Sequence, residues 1–342
     1  MRKITVSSLK TYFTNQFSAV GFSKENTASA ADVFLRSTLR NVGHHDVYSL
    51  SSHIRAVVSG KQNANPDFKK LAAFGALESW DGGNGIGPVM CAYAMDRAIE
   101  LADIHGIGLC AMRNTNHFLA AAPYVERAAE RGYIALMLAK GGASMGMSGR
   151  TERSMSALPM GFAYQTEKDY PVMLDICLAY ASNGKLNEMA AKGEQTPSWW
   201  GADPEGNPTT DPSEILKGTR WPIGGHKGYS LAMLGEVLTA VLSMGCILDE
   251  KSTADGVTNN ASHTAIAIKA DALMDMDEFR RRTTVLNTQA ESLAPGIHIP
   301  GTGSHREKGA ILSQGYIELT DELVSELNAL AEQYGIDGLC EC

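Results

Sequence analysis

Two adjacent histidines, His44 and His45, stand with Asp46 in the segment Gly43-His-His-Asp46, and a third, His117, ends Asn114-Thr-Asn-His117. Imidazole moves protons near neutral pH, so both segments are candidates for acid–base work. A metal site is the other chemistry open to His-His-Asp, but no third ligand follows at a suitable spacing nearby. The plain alternatives are a histidine pair that hydrogen-bonds in a loop and an Asx turn that caps a helix. Met173-Leu-Asp-Ile-Cys177 ends an apolar run with Asp175, which can accept from a ribose or merely cap a turn. Gly224-Gly-His-Lys-Gly228 puts Lys227 among flexible residues at a helix start, an arrangement that suits a phosphate.

Hydrophobic spacing predicts the elements that must hold these groups. Residues 1–60 read as helical and 62–80 as loop and strand. The glycine cluster 81–87, in the plain reading a turn before a helix, leads into a helix at 89–105. A strand at 107–112, a helix around 124–131 and a strand at 133–138 follow. Strands alternating with helices of this length argue for an α/β architecture, and His117 and Asp175 then follow strand ends, where such proteins place ligands. Residues 188–219 read as a surface excursion with turns, and 222–228 as a corner feeding a buried helix through Leu248. A strand at 263–269 and a last helix at 321–334 complete the expectation.

The 342 residues allow two domains or one large one, and 44% of them are hydrophobic. With 30 basic against 38 acidic side chains the net charge is −8, which argues against a nucleic-acid partner. The six cysteines form no C-x-x-C pair, the first residues carry no apolar leader, and the most apolar stretch, 228–248, is interrupted by Glu236 and reads as a buried helix rather than a membrane span, so the cytoplasm is the expected compartment. No Rossmann fingerprint is present, because Gly83-Asn-Gly85-Ile-Gly87 has the wrong spacing. The P-loop pattern fails as well, since Asn183-Gly-Lys185 is followed by Leu186. Arg150 and Arg153 could meet a ribose 2′-phosphate, but in a Gly/Ser-rich loop they read as solvated.

Several segments in order resemble the type 2 malate/L-lactate dehydrogenase family, which includes sulfolactate and ureidoglycolate dehydrogenases and diketogulonate reductase. They are Trp80-Asp-Gly-Gly-Asn-Gly-Ile-Gly87, Arg113-Asn-Thr-Asn-His-Phe118, Leu174-Asp175, Gly206-Asn-Pro-Thr-Thr-Asp-Pro212, Pro222-Ile-Gly-Gly-His-Lys-Gly-Tyr229 and Ile299-Pro-Gly301. The resemblance implies a non-Rossmann, sulfolactate-dehydrogenase-like α/β fold, a mixed sheet flanked by helices with a helical N-terminal region. It further implies a helical region at 1–75, a main α/β domain from 76–125 with 236–342, and a cofactor-binding domain at 126–235. The activity it implies is hydride transfer between NAD or NADP and C2 of a small 2-hydroxy or 2-keto acid, by a homodimer.

On the matching positions, the resemblance implies that His45 is the proton donor and His117 a second acid–base group; Asn114 and Thr115, polar groups just past a strand end, would orient the substrate oxygen. Lys140, Asp175, Ile176, Cys177, Lys227, Gly228 and Gly301 fall on cofactor positions, and no metal ligand is implied. The segment Leu39-Arg-Asn-Val-Gly-His-His-Asp-Val-Tyr-Ser-Leu50 departs from the family pattern. His44 replaces a serine, Asp46 a glycine, and Ser49 the arginine expected to grip a substrate carboxylate. Ser156-Ala-Leu-Pro159 likewise replaces Gly-Thr-Asn-Pro. Serine offers one neutral hydroxyl, so either another cation holds the carboxylate, with His44 the nearest in sequence, or the substrate carries a different group there. The expected substrate is therefore not plain pyruvate or oxaloacetate. A reductase of cyclic imine acids and a non-catalytic metabolite or dinucleotide binder are the competing readings.

Overall fold

Strand β1 (Arg2–Thr5) starts the chain and leads directly into α1 (Val6–Ala19), α2 (Lys24–Leu39) and α3 (Leu50–Val58). The computed structural model describes residues 1–41, 43–294 and 296–342. Thr5 and Ser23 cap α1 and α2 by accepting from Ser8 N–H and Asn26 N–H. Phe13, Phe17 and Phe34 pack these two helices together. The expected helical N-terminal region thus gains a strand, which pairs antiparallel with β11 (Tyr316–Leu319) near the chain's end.

The framework is a seven-stranded mixed sheet. Its strands are β2 (Lys69–Phe74), β3 (Leu77–Asp81), β4 (Ile107–Thr115), β5 (Tyr133–Lys140), β6 (Met160–Tyr164), β7 (Val172–Ile176) and β10 (Ala261–Lys269). They lie in the order β2-β3-β4-β10-β5-β6-β7, and only β3 and β4 run parallel. Inserting β10 between β4 and β5 sets His263 opposite Met112 on one side and Ala139 on the other. Helix α4 (Gly87–His105), with Pro88 in its first turn, packs on β4 and β10, and α5 (Ala122–Glu130) packs on β5 and β6. The contact is close because small residues line it: a Cβ on Gly108 would meet Ala98 O at 2.0 Å.

The 188–219 excursion is more ordered than its composition suggests. It holds the end of α6 (Asn183–Lys192), α7 (Pro212–Lys217), and a short hairpin of β8 (Gly201–Ala202) with β9 (Thr219–Arg220). Helix α8 (His226–Glu236) runs on through a π-helical turn at Val237–Val241. The helix predicted through Leu248 stops short, and residues 244–248 form a loop with positive φ at Met244 and Leu248. The reason is two cations beneath it. Arg113 donates to Met244 O at 2.8 Å and Lys140 to Cys246 O at 2.5 Å, so these carbonyls must turn away from a helix axis. Helices α9 (Met276–Leu293), α10 (Thr302–Gln314) and α11 (Asp321–Gln333) complete the chain, the first two unforeseen because their apolar faces are weak. Among the described residues, no helix is long and apolar enough to cross a membrane.

Candidate active site

A cavity of about 1000 Å³ opens where the ends of β4, β5 and β7 and the start of β10 approach the first turn of α6. His44, His45, His117 and His263 all line it. The His45 ring centroid lies 4.3 Å from that of His44 and 4.9 Å from that of His117. Burial, reinforced by the neighbouring imidazoles, lowers the His45 pKa to about 4 and the His117 pKa to about 3. His117 is exposed as a residue, yet along the cavity wall protein atoms crowd its ring and strip water from it. Both rings are therefore neutral at pH 7. Leu119 N–H donates to His117 Nδ1 at 3.2 Å, which leaves the proton of the neutral ring on Nε2.

Backbone aims these rings. Gly43 N–H and Tyr48 N–H donate to the Asp46 carboxylate at 2.6 and 3.0 Å, so Asp46 is buried as the clasp of the loop that carries His44 and His45. His117 is fixed from behind. Asn116 Nδ2 donates to Gly85 O at 2.9 Å, and a Cβ on Gly87 would meet His117 O at 2.1 Å. The glycine cluster 81–87 is thus a mould for the His117 loop, and Gly87 has no room for a side chain. His263, buried, donates from Nε2 to Asn116 O at 3.0 Å and stacks on Phe118. Its pKa falls to about 4 through burial.

Of the residues singled out in the sequence, His44, His45, His117, Lys140, Asp175, Ile176, Cys177 and Gly301 meet at this cavity. Lys140 ends β5 with its side chain fully buried, its ammonium bonded to Cys246 O and Asn260 and 3.5 Å from the Glu236 carboxylate. Burial pushes its pKa down. Asp175 accepts from Ala122 N–H at 2.9 Å at the start of α5, and burial raises its carboxyl. Gly301, at φ 86°, lies so close to β7 that a Cβ would meet Met173 O at 2.8 Å.

Five residues lie outside the cavity wall. Ser49 donates to Asp46 O at 2.8 Å, inside its own turn. Asn114 donates to Asp81 at 2.8 Å and Thr115 to Ala261 O at 3.1 Å, both behind the His117 loop. Lys227 is exposed at the start of α8, and Gly228 is held against Ile223, whose O a Cβ would meet at 2.3 Å. The cavity also enlists Arg40, Arg220, His263 and the 182–185 segment, none of which the sequence reading assigned. Asn183-Gly-Lys185 carried a usable signal, since an Asn-Gly pair behind a serine marks a helix start that can face a ligand.

Residues 4–328 match the malate/L-lactate dehydrogenase family. The chain is 28% identical to malate dehydrogenase from Pyrococcus horikoshii, over 94% of this chain and 92% of that protein. It is 32% identical to 2,3-diketo-L-gulonate reductase from Escherichia coli, over 80% of this chain and 82% of that one. Among solved structures, sulfolactate dehydrogenase from Methanocaldococcus jannaschii superposes with a TM-score of 0.87 at 28% identity, covering 98% of each chain. These relatives are two dehydrogenases and a reductase, and the sulfolactate dehydrogenase shares the same non-Rossmann α/β fold. The chain belongs to the malate/L-lactate dehydrogenase family.

Proposed function

We propose that this protein is an NAD(P)-dependent reductase of 2-keto acids and dehydrogenase of the matching 2-hydroxy acids, on a substrate other than plain pyruvate or oxaloacetate. The observation that carries this reading is the pair of neutral imidazoles, His45 and His117, 4.9 Å apart in one large cavity. A dinucleotide fits what surrounds them. The volume lies at the upper end for small-molecule sites. Gly141 and Gly142 leave open space beyond β5, and Gly301 brings its backbone against β7. Asp175, Ile176, Cys177 and Gly301 would hold the cofactor along one wall, with Lys140 behind it. When bound, its nicotinamide exchanges a hydride with C2 of the acid.

His45 moves the proton at the C2 oxygen. It donates during reduction as the imidazolium, after taking a proton from solvent, and as the neutral ring it accepts during oxidation. His117 presents Nε2–H as a hydrogen-bond donor, and its Nδ1 stays occupied by Leu119 N–H, so it orients the oxygen without changing charge. Asn114 and Thr115 act through that loop. A homodimer is part of the proposal: Leu231, Leu234, Val237 and Val241 expose an apolar face along α8 and its π turn, a surface that a second copy would cover. The free cysteines fit a reducing cytoplasm.

The deciding experiment incubates the protein with NADH or NADPH and a panel of 2-keto acids that includes pyruvate, oxaloacetate, longer and more polar members, and a cyclic imine acid. Oxidation of the cofactor with a polar 2-keto acid is the expected result. Cofactor fluorescence enhancement without any turnover would replace this reading with that of a binder.

A further inference from the structure

Four cationic side chains line the cavity: Arg40, Lys140, Lys185 and Arg220. Three of them face carboxylates. Arg40 bonds Glu126 at 2.5 Å, Lys140 stands 3.5 Å from Glu236, and Lys185 bonds Glu188 at 3.2 Å. Arg220 has no acidic partner among the described residues. It sits on β9, 93% buried by its 7% exposure, where the hairpin with β8 turns its side chain under the cavity. Nε donates to Ser144 O at 3.2 Å and Nη1 to Ala181 O at 3.2 Å. These two carbonyls fix the plane of the guanidinium and leave Nη2, together with the second N–H of Nη1, as an open edge. Two parallel N–H groups on one edge are the geometry that grips a carboxylate.

The surroundings also favour an anion. A buried cation without a counter-charge is costly, and burial already pulls the Arg220 pKa below its ordinary value. Ala181, which Arg220 holds, precedes the cap of α6. Within that helix start, Ser182 takes the N–H of Lys185 and Leu186, which leaves those of Asn183 and Gly184 available. The same turn touches the histidines. Ser182 Oγ is 3.3 Å from His44 Nε2, and a Cβ on Gly184 would strike the His44 ring at 2.3 Å. Arg220, the start of α6, His44 and His45 therefore form one continuous wall, with the proton-moving imidazole at its end.

We infer that Arg220, with the first turn of α6, anchors a carboxylate of the acid substrate. The inference rests on the function proposed above. It gives the two-pronged cation that Ser49 cannot supply, from a different element. Arg220 does not reach the reacting oxygen, so it sets affinity and choice of substrate and leaves the proton step to His45.

The test compares wild type with Arg220→Gln and Arg220→Lys. Calorimetry follows oxamate, an unreactive mimic of a 2-keto acid, with and without NADH, and NADH itself. Kinetics follow the best acid of the panel and its methyl ester. Arg220→Gln is expected to weaken oxamate about ten- to hundred-fold and leave the NADH Kd within about two-fold. It should raise KM far more than it lowers kcat. Arg220→Lys should fall between. The acid-to-ester preference should collapse in Arg220→Gln, and because this ratio is internal to each preparation, partial misfolding does not move it. Loss of NADH affinity with unchanged oxamate binding would make Arg220 a phosphate ligand and overturn the inference. Unchanged binding of both would reduce it to a structural prop. If wild type turns over no 2-keto acid, the proposed function falls, while the oxamate titrations still decide the fate of Arg220.

Discussion

Consider the wild-type protein saturated with reduced cofactor, its rate measured against a 2-keto acid from pH 5 to pH 8, and the reverse reaction measured alongside. Reduction consumes one proton, so the ratio of the two kcat/KM values must change tenfold per pH unit. The free site decides which direction carries that change. With a pKa of about 4, His45 is charged in only about one molecule in a thousand at pH 7. Because kcat/KM reports the free enzyme, reduction should fall with slope −1 across this window, about a thousandfold in all, while oxidation stays level. The bound complex is different. A substrate carboxylate near the ring favours the imidazolium, and Arg220, which holds that carboxylate, offsets part of the gain. The His45 pKa therefore rises on binding, and kcat for reduction should bend above the free-site value of about 4. The substrate would thus charge its own acid. The reasoning fails if reduction is level from pH 5 to pH 8 and oxidation rises instead, or if the same slope persists in His45→Asn.

Three further outcomes follow from the geometry. His45→Ala should lower kcat by about 10²–10⁴ and barely change cofactor affinity, whereas His44→Ala should cost less; steady-state kinetics with calorimetry would expose a reversed order. Gly87→Ala should misplace His117, because the new Cβ meets His117 O at 2.1 Å. About 1–3 kcal/mol of stability and most of kcat should go while cofactor binding is kept, and a variant with normal turnover would rule out the mould. His263 has its folded pKa depressed from 6.5 to about 4, so its contribution is intact above pH 6.5 and lost as pH falls towards 4. At pH 5 that loss is about 2 kcal/mol. Urea unfolding of His263→Gln, which keeps a donor for Asn116 O, should therefore show a shallower acid decline than wild type, and equal declines would disprove the assignment.

The sequence made the cavity histidines legible because His45 and His117 sit in short local segments whose elements have strong hydrophobic spacing. Asp175 was legible for the same reason, at the end of a plain apolar strand. Arg220 was not, because its importance lies in what it lacks: no pattern along the chain reveals that three neighbouring cations have carboxylates and one does not. Asn114 and Thr115 drew attention as polar groups past a strand end, yet their partners, Asp81 and Ala261, are distant in the chain and turn them into supports. The helix expected through Leu248 failed for a similar reason. Apolar residues continue to that point, but Arg113 and Lys140, far away in sequence, claim the carbonyls of residues 244–246.

The moulding of His117 by Gly87 has a consequence for how this site can change over generations. A ring positioned by main-chain contact cannot be retuned by swapping side chains, since each substitution at the glycine removes the alignment altogether. The opposite wall is held differently, by side chains such as Ser182 and Arg220 on a short hairpin and a helix start. Such a cavity has a half that resists drift and a half that tolerates it. New specificities would be expected to arise by exchange at 182–185 and 220, leaving His45 and His117 in place, and a selection for altered acid preference should collect its mutations there.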